Sequence, residues 1–210
     1  MSQSSKQHVL VIGSSGGIGS NLLRLMSESG DYELTGWSST DLDLDHPDRI
    51  FSCDFSKFDL LINCAGHSQG TYLGFLKNSW QNQYSQIMVN YVSNLFLFKH
   101  YANSREHGQY VWLNSILADH AKPFHSVYAG SKSASKFSLD LAAKEAPHIN
   151  ILDAKIGLVK TNLRYRNFEG TKTPDEIEST YVDNNVLSAN DVARKIFDAI
   201  KQNKTEILIV

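Results

Sequence analysis

The sequence has little cysteine, almost no net charge and no long apolar run, and each shortage removes a class of protein. Its 210 residues include two cysteines, Cys53 and Cys64. Neither belongs to a C-x-x-C pair or lies beside a histidine pattern, so two reduced thiols are expected rather than a disulfide framework or a structural zinc site. No histidine pair has metal-ligand spacing on one helix, and no metal is expected. The formal net charge is -2 and the isoelectric point about 6.4. Such a balance offers no basic field to nucleic acid or to an anionic membrane. The N-terminal stretch carries only a short apolar run, "VLVI", before Gly13. It does not read as a signal peptide, and no segment approaches the roughly 18 apolar residues of a membrane helix. A cytoplasmic protein with a small-molecule ligand, and with neither nucleic acid nor membrane as partner, is the expectation. Repeats and low-complexity tracts are absent as well.

What is present is an alternation of strand and helix patterns. "HVLVIG" (8–13) is a β-branched apolar run of the kind buried in a parallel sheet. "GIGSNLLRLMSESG" follows with helical spacing and stops at Gly30. "YELTGW" (32–37) and "TDLDL" (40–44) read as a second and a third strand with almost no helix between them. Residues 46–58 read as a weak helix or loop, and "DLLINCAG" (59–66) as a buried strand. A long helix covers 79–104, a strand 108–115, a helix 127–146 stopped by Pro147, and a strand 149–157. Residues 189–202 form a helix and 205–210 a last strand. Periodicity fails over 162–186, which reads as a loop beside the substrate. This pattern predicts an α/β fold: one doubly wound, Rossmann-like parallel sheet in three layers, a single domain spanning 1–210. Ligands of such sheets bind at the carboxyl ends of the strands.

Two motifs fall at those ends. "GSSGGIG" puts Gly13, Gly17 and Gly19 between the first strand and the first helix. Glycine allows the tight turn, and the free N–H groups and dipole of the helix start favour a pyrophosphate. Tyr128 and Lys132 are four residues apart in a helix, hence on one face. A free phenol titrates near pH ~10, too high for ready proton exchange at neutrality, and a neighbouring ammonium favours the phenolate. Ser115, at the end of the strand "YVWLNS", could hydrogen-bond a substrate oxygen.

Together with "NCAG" (63–66) and "YAGSK" (128–132), the G-x-x-x-G-x-G turn resembles the short-chain dehydrogenase/reductase family. Ser115 precedes Tyr128 by thirteen positions, a common spacing there. The resemblance runs from about residue 8 to the C-terminus. It implies an NAD(P)-dependent oxidoreductase that reduces a carbonyl or oxidises a secondary alcohol by hydride transfer. Tyr128 would be the acid/base, Lys132 its tuner and ribose ligand, and Ser115 the partner of the carbonyl oxygen. Asn90 would hold the water of a proton relay, with Asn94, one turn on, the second choice. The cofactor would lie against Gly13, Ser14, Ser15, Gly17, Ile18 and Gly19, and against Asn63, Ala65 and Gly66. Asp43 and Leu44 would meet the adenine, with Asp54 a rival, and Val159 and Thr161 the carboxamide end. Trp37 either packs beside the adenine or is simply a packed strand-end aromatic. The resemblance also implies a homodimer or homotetramer paired through the helices near 79–102 and 127–146.

The match departs at Ile12, Cys64 and Ile156, where the family usually has threonine, asparagine and proline. Little follows the last strand, so an open substrate site, or one completed by a neighbouring subunit, is expected. No acid or arginine stands in "TGWSST", where such enzymes distinguish their cofactors. With Gly36 in place of the acid and Ser14, Ser38 and Ser39 nearby, the reading leans to NADP over NAD. Two alternatives remain: a cofactor-binding sensor or regulator without turnover, and a sugar-nucleotide epimerase or dehydratase. His67, His120 and His125 should flank the mouth of the site. Arg164 and Arg166 lie in the expected substrate loop, as solvated charges or as a clamp for a carboxylate or phosphate.

Overall fold

The computed structural model describes residues 6–120, 122–181 and 186–210. Six parallel strands form one sheet in the order β2-β1-β3-β4-β5-β8. They are β1 (Gln7–Ile12), β2 (Tyr32–Trp37), β3 (Leu60–Asn63), β4 (Gly108–Ser115), β5 (Ile149–Ile156) and, last in the chain, β8 (Glu206–Ile209). A two-stranded pair, β6 (Val159–Lys160) and β7 (Leu187–Ser188), lies apart from it. β1 has β2 on one side and β3 on the other, so the order reverses at β1 and opens a crevice beyond its carboxyl end.

Alternation within each strand builds two cores. Val9 and Val11 of β1, with Val111 and Leu113 of β4, pack under Leu22 and Met26 of α1 (Gly17–Ser29) and Val192 and Ile196 of α7 (Ala189–Lys201). Leu10 and Ile12, with Tyr110 and Trp112, face the opposite layer. That layer holds α2 (Trp80–Ile87), α3 (Ser93–Asn103) and α4 (Ser126–Glu145), whose Leu97, Phe98 and Leu139 complete the second core. Two-faced burial is what continuous apolar runs in parallel strands require. The three-layer, doubly wound arrangement is the one the sequence pattern implies.

Three local expectations are corrected. Residues 40–44 form turns, not a third strand. The Asp41 carboxylate accepts from the Ser38 N–H and hydroxyl, both at 2.8 Å, and Leu42 N–H donates to the Ser38 carbonyl, so the backbone curls back. The alternating Leu42 and Leu44 are buried all the same, as loop residues over the second core. The long helix over 79–104 is interrupted: Met88–Val92 widens into a π turn between α2 and α3. The expected substrate loop contains two short helices, α5 (Asn162–Asn167) and α6 (Pro174–Ser179), the latter started by a Thr173–Glu176 capping box. Residues 182–185 of that loop lie outside the described residues, as does residue 121. Among the described residues no helix is long and apolar enough to cross a membrane.

Candidate active site

A cleft of about 1120 Å³ runs along the carboxyl ends of β1, β3 and β4. Its floor begins at the glycine turn. Gly13 has φ +76°, and a Cβ there would stand 2.8 Å from the Ala65 nitrogen. A Cβ on Gly19 would meet the Gly13 carbonyl oxygen at 2.4 Å. Gly19 lets the first turn of α1 close on the glycine turn, and Gly13 lets that turn sit directly on the loop after β3. The helix starts at Gly16 with no side-chain cap, and Ser15, Gly17, Ile18 and Gly19 line the cleft. A helix start with uncapped N–H groups and no side chains in the way suits a pyrophosphate.

The loop after β3 is held from behind. The Asn63 side-chain Oδ1 accepts from Ala65 N–H at 3.1 Å, while its Nδ2 donates to Asn94 Oδ1 at 2.8 Å. Asn94 in turn donates to Ser135 at 2.6 Å and accepts from the Tyr110 hydroxyl at 2.7 Å. Asn94 is therefore a buried strut. Asn90 stands in the π turn, 1% exposed. It clamps the His67 backbone on both sides, accepting from its N–H at 2.9 Å and donating to its carbonyl at 2.8 Å, and also donates to Ser131 of α4 at 3.2 Å. π turns recur at functional sites because they re-aim one side chain. Here the side chain is Asn90, and it ties the loop after β3 to the helix bearing Tyr128.

At the centre, β4 ends on Ser115 and α4 delivers Tyr128 and Lys132. Ser115 lies beside Tyr128; burial raises the phenol's pKa, and the Ser115 side chain partly offsets the rise. Lys132 is 4% exposed. Its Nζ donates to the Leu113 carbonyl at 2.7 Å and lies 5.7 Å from the centre of the Trp112 ring. Burial lowers its pKa to about 8, opposed by the charge of Asp153. The expectation that a neighbouring ammonium draws the phenol down is thus corrected for the protein alone. The ammonium is anchored to a strand carbonyl, and desolvation governs the phenol.

Asp153 itself is buried beneath this group. One carboxylate oxygen accepts from Asn114 at 3.0 Å, and the other has no partner among the described residues. Burial raises its pKa to about 6. The folded state then holds this proton more tightly than the unfolded chain, so stability is greatest at low pH and falls as pH rises from about 4 through 6. A proton held at about pH 6 instead of ~3.9 corresponds to about 3 kcal/mol at neutral pH. Asp153→Asn should raise the unfolding free energy at pH 8 by up to about that amount, and progressively less toward pH 4. Denaturant melts across pH check it, and an unchanged pH dependence would contradict the assignment.

Most of the expected residues come together. Gly13, Ser15, Gly17, Ile18, Gly19, Ser38, Asp43, Leu44, Ala65, Gly66, Ser115, Tyr128, Lys132, Val159 and Thr161 all line the cleft. Ser14, Trp37, Asn63 and Asn90 do not; the asparagines act from behind. The Trp37 ring packs 5.9 Å from Phe55 and 6.2 Å from Phe58, and only its carbonyl serves the turn, accepting from Gly13 and Ser14 N–H. The Trp37 ring is thus packed at the strand end, outside the cleft lining. Asp54 lies outside the lining and caps Ser56, whereas Asp43 is in it. His67 and His125 line the cleft and His120 does not. Between Ser115 and Tyr128, Ile116, Leu117, Lys122 and His125 face inward.

Sequence patterns did not point to Asp41, Tyr72 or Phe168. The Asp41 carboxylate, held ionised by its bonds to Ser38, lies at the end of β2. Tyr72 and Phe168 stack at 3.9 Å and 7° across the mouth. Both come from segments without periodicity, so only a contact map could have paired them. Among the described residues no group of three or more histidine, cysteine, aspartate or glutamate side chains is arranged for a metal.

Comparison with known proteins gives three findings. The family model described as short chain dehydrogenase matches residues 51–172. The chain is 31% identical over 170 residues to the dehydrogenase/reductase SDR family member 7B of Mus musculus, covering 77% of this chain and 50% of that protein, and matches its Rattus norvegicus counterpart to the same extent. The chain thus spans about half the length of the curated relatives it matches. Among solved structures, a small-chain dehydrogenase in complex with NADPH superposes with a TM-score of 0.82 at 21% identity, covering 98% of this chain and 97% of that one. A short chain dehydrogenase from Burkholderia cenocepacia in complex with NADP gives 0.79 at 19%, covering 97% and 88%. At these identities the structures speak for the fold.

Proposed function

The chain belongs to the short-chain dehydrogenase/reductase family, and on that footing we propose that it is an NAD(P)-dependent oxidoreductase acting on a carbonyl or secondary alcohol. The observation that carries the reading is one cleft lined by the glycine turn and by Ser115, Tyr128 and Lys132 together. The turn and the Asn63-braced loop would hold the dinucleotide, with Val159 and Thr161 over its carboxamide end. When bound, the nicotinamide supplies or takes up the hydride. Ser115 orients the carbonyl oxygen, Tyr128 gives it a proton during reduction, and Lys132 stabilises the phenolate left behind. Asn90 positions the loop and the helix between which a relay water would sit. A phenol raised by burial is protonated at neutral pH, which favours reduction there; oxidation, needing the phenolate, should rise with pH. A panel of aldehydes and ketones with NADPH and NADH tests this, and the absence of turnover in the whole panel counts against it.

Ser38 and Ser39 offer hydroxyls to a 2′-phosphate of NADP, whereas Asp41 sets an ionised carboxylate beside Ser38. The ratio of NADPH to NADH affinity, by titration, reads which prevails.

The proposal extends to a homodimer. Phe137 of α4 is 69% exposed and Trp80 of α2 71%, with Tyr84, Ile87 and Leu141 also uncovered. Apolar faces this open on adjacent helices favour association. Phe137→Glu should convert a dimer into a monomer by light scattering, and a wild type that runs as a monomer overturns the assembly.

A further inference from the structure

Arg164 occupies an unusual position for a loop arginine: it is 8% exposed. Its guanidinium carbon lies 4.6 Å from the Phe168 ring centre and 5.5 Å from that of Tyr72. Nη1 donates to the Tyr72 hydroxyl at 3.1 Å and Nη2 to the Thr180 hydroxyl at 3.4 Å. The Nε–H is enclosed and has no acceptor among the described residues. Nor does any carboxylate of the described residues form an ion pair with Arg164. Glu178 of α6 is engaged by Lys160 at 2.6 Å and by the Tyr165 hydroxyl. The cleft's two acids belong to the loop after β2, and Asp45 there faces His67 rather than Arg164. Aromatic faces attract a guanidinium but bring no counter-charge, and a buried cation without one is costly.

The position of this charge gives it a use. Arg164 lines the same cleft as Tyr128. His125, three residues before Tyr128, lines it too, its ring edge-on to Tyr72 at 5.0 Å. The His125 Nδ1–H donates to the Pro123 carbonyl at 2.8 Å, and burial favours the neutral ring. Lys122, Arg166 and Lys172 also line the cleft, but all three are exposed, whereas Arg164 is buried. A planar fork donor walled by Tyr72 and Phe168 matches a carboxylate on a small apolar body.

We propose that Arg164 is a substrate-binding residue that selects carbonyl compounds bearing a carboxylate. The inference rests on the reductase reading above, and its test separates the two. para-Carboxybenzaldehyde and para-tolualdehyde are compared as substrates with NADPH, and benzoate and benzamide as ligands by calorimetry. Wild type should favour the carboxylated aldehyde by about 10²-fold in kcat/KM, through KM, because a site built for a polar group discriminates against its absence. Benzoate should bind and benzamide should not. Arg164→Gln should erase both preferences, bringing kcat/KM for para-carboxybenzaldehyde down to that for para-tolualdehyde in the same variant; Arg164→Lys, which keeps charge but not the fork, should restore part of them. If neither aldehyde is reduced but benzoate still binds through Arg164, the anion site stands and the reductase reading falls. A wild type indifferent to the carboxylate in both assays overturns the inference, whether or not the variants fold. So does a preference that survives in folded Arg164→Gln.

Discussion

Tyr128→Phe should lower carbonyl reduction by about 10²- to 10⁴-fold in kcat, the range a positioned general acid contributes, while dinucleotide affinity stays near wild type. The ring remains packed, and only the hydroxyl beside Ser115 is lost. Steady-state kinetics beside a cofactor titration separates the two effects. A variant with full activity would remove the phenol from the mechanism.

Lys132→Met should cost about 10²-fold or more in kcat, since a charge placed where charge develops is commonly worth that much. The substitution suits the site sterically, an unbranched apolar chain beneath the Trp112 ring, although the bond to the Leu113 carbonyl is lost. Its pH signature is more telling than its size. Lys132 is charged below about pH 8 and loses its proton above it. If the ammonium stabilises the phenolate of Tyr128, reduction by the wild type falls as pH rises through about 8. That limb should vanish in Lys132→Met. It should shift to lower pH in Asp153→Asn, because the Asp153 charge is what opposes the depression of the Lys132 pKa. A wild-type profile that is flat through this range would detach Lys132 from the chemistry.

The sheet was legible because its strands are continuous apolar runs, and burial on both faces demands such runs. The same rule misread residues 40–44. Leu42 and Leu44 alternate as in a strand, but Asp41 folds back onto Ser38 and turns the segment, a local hydrogen bond that hydropathy does not register. The nucleotide end of the cleft was legible from Gly13 and Gly19, whose missing side chains are a direct geometric requirement. The reacting trio was legible from spacing on one helix and one strand end. The substrate end was not. Tyr72 and Phe168 are 96 residues apart in sequence yet stack at 3.9 Å, and nothing local in either segment announces the other. Arg164 looked like a solvated loop charge for the same reason: its burial comes from partners at distant positions. Spacing also placed Asn90 in an ordinary helix, whereas a π turn aims it at the His67 backbone.

The reading of a hydride-transfer enzyme against a cofactor-binding regulator turns on whether the cofactor's hydrogen reaches a carbonyl. The direct measurement is mass spectrometry of the alcohols formed when wild type is incubated with NADPH deuterated at the transferring carbon and a panel of aldehydes and ketones that includes para-carboxybenzaldehyde. The account predicts deuterium on the carbinol carbon with wild type and a strongly diminished yield with Tyr128→Phe. Tight NADPH binding with no deuterated alcohol from any member of the panel would contradict it.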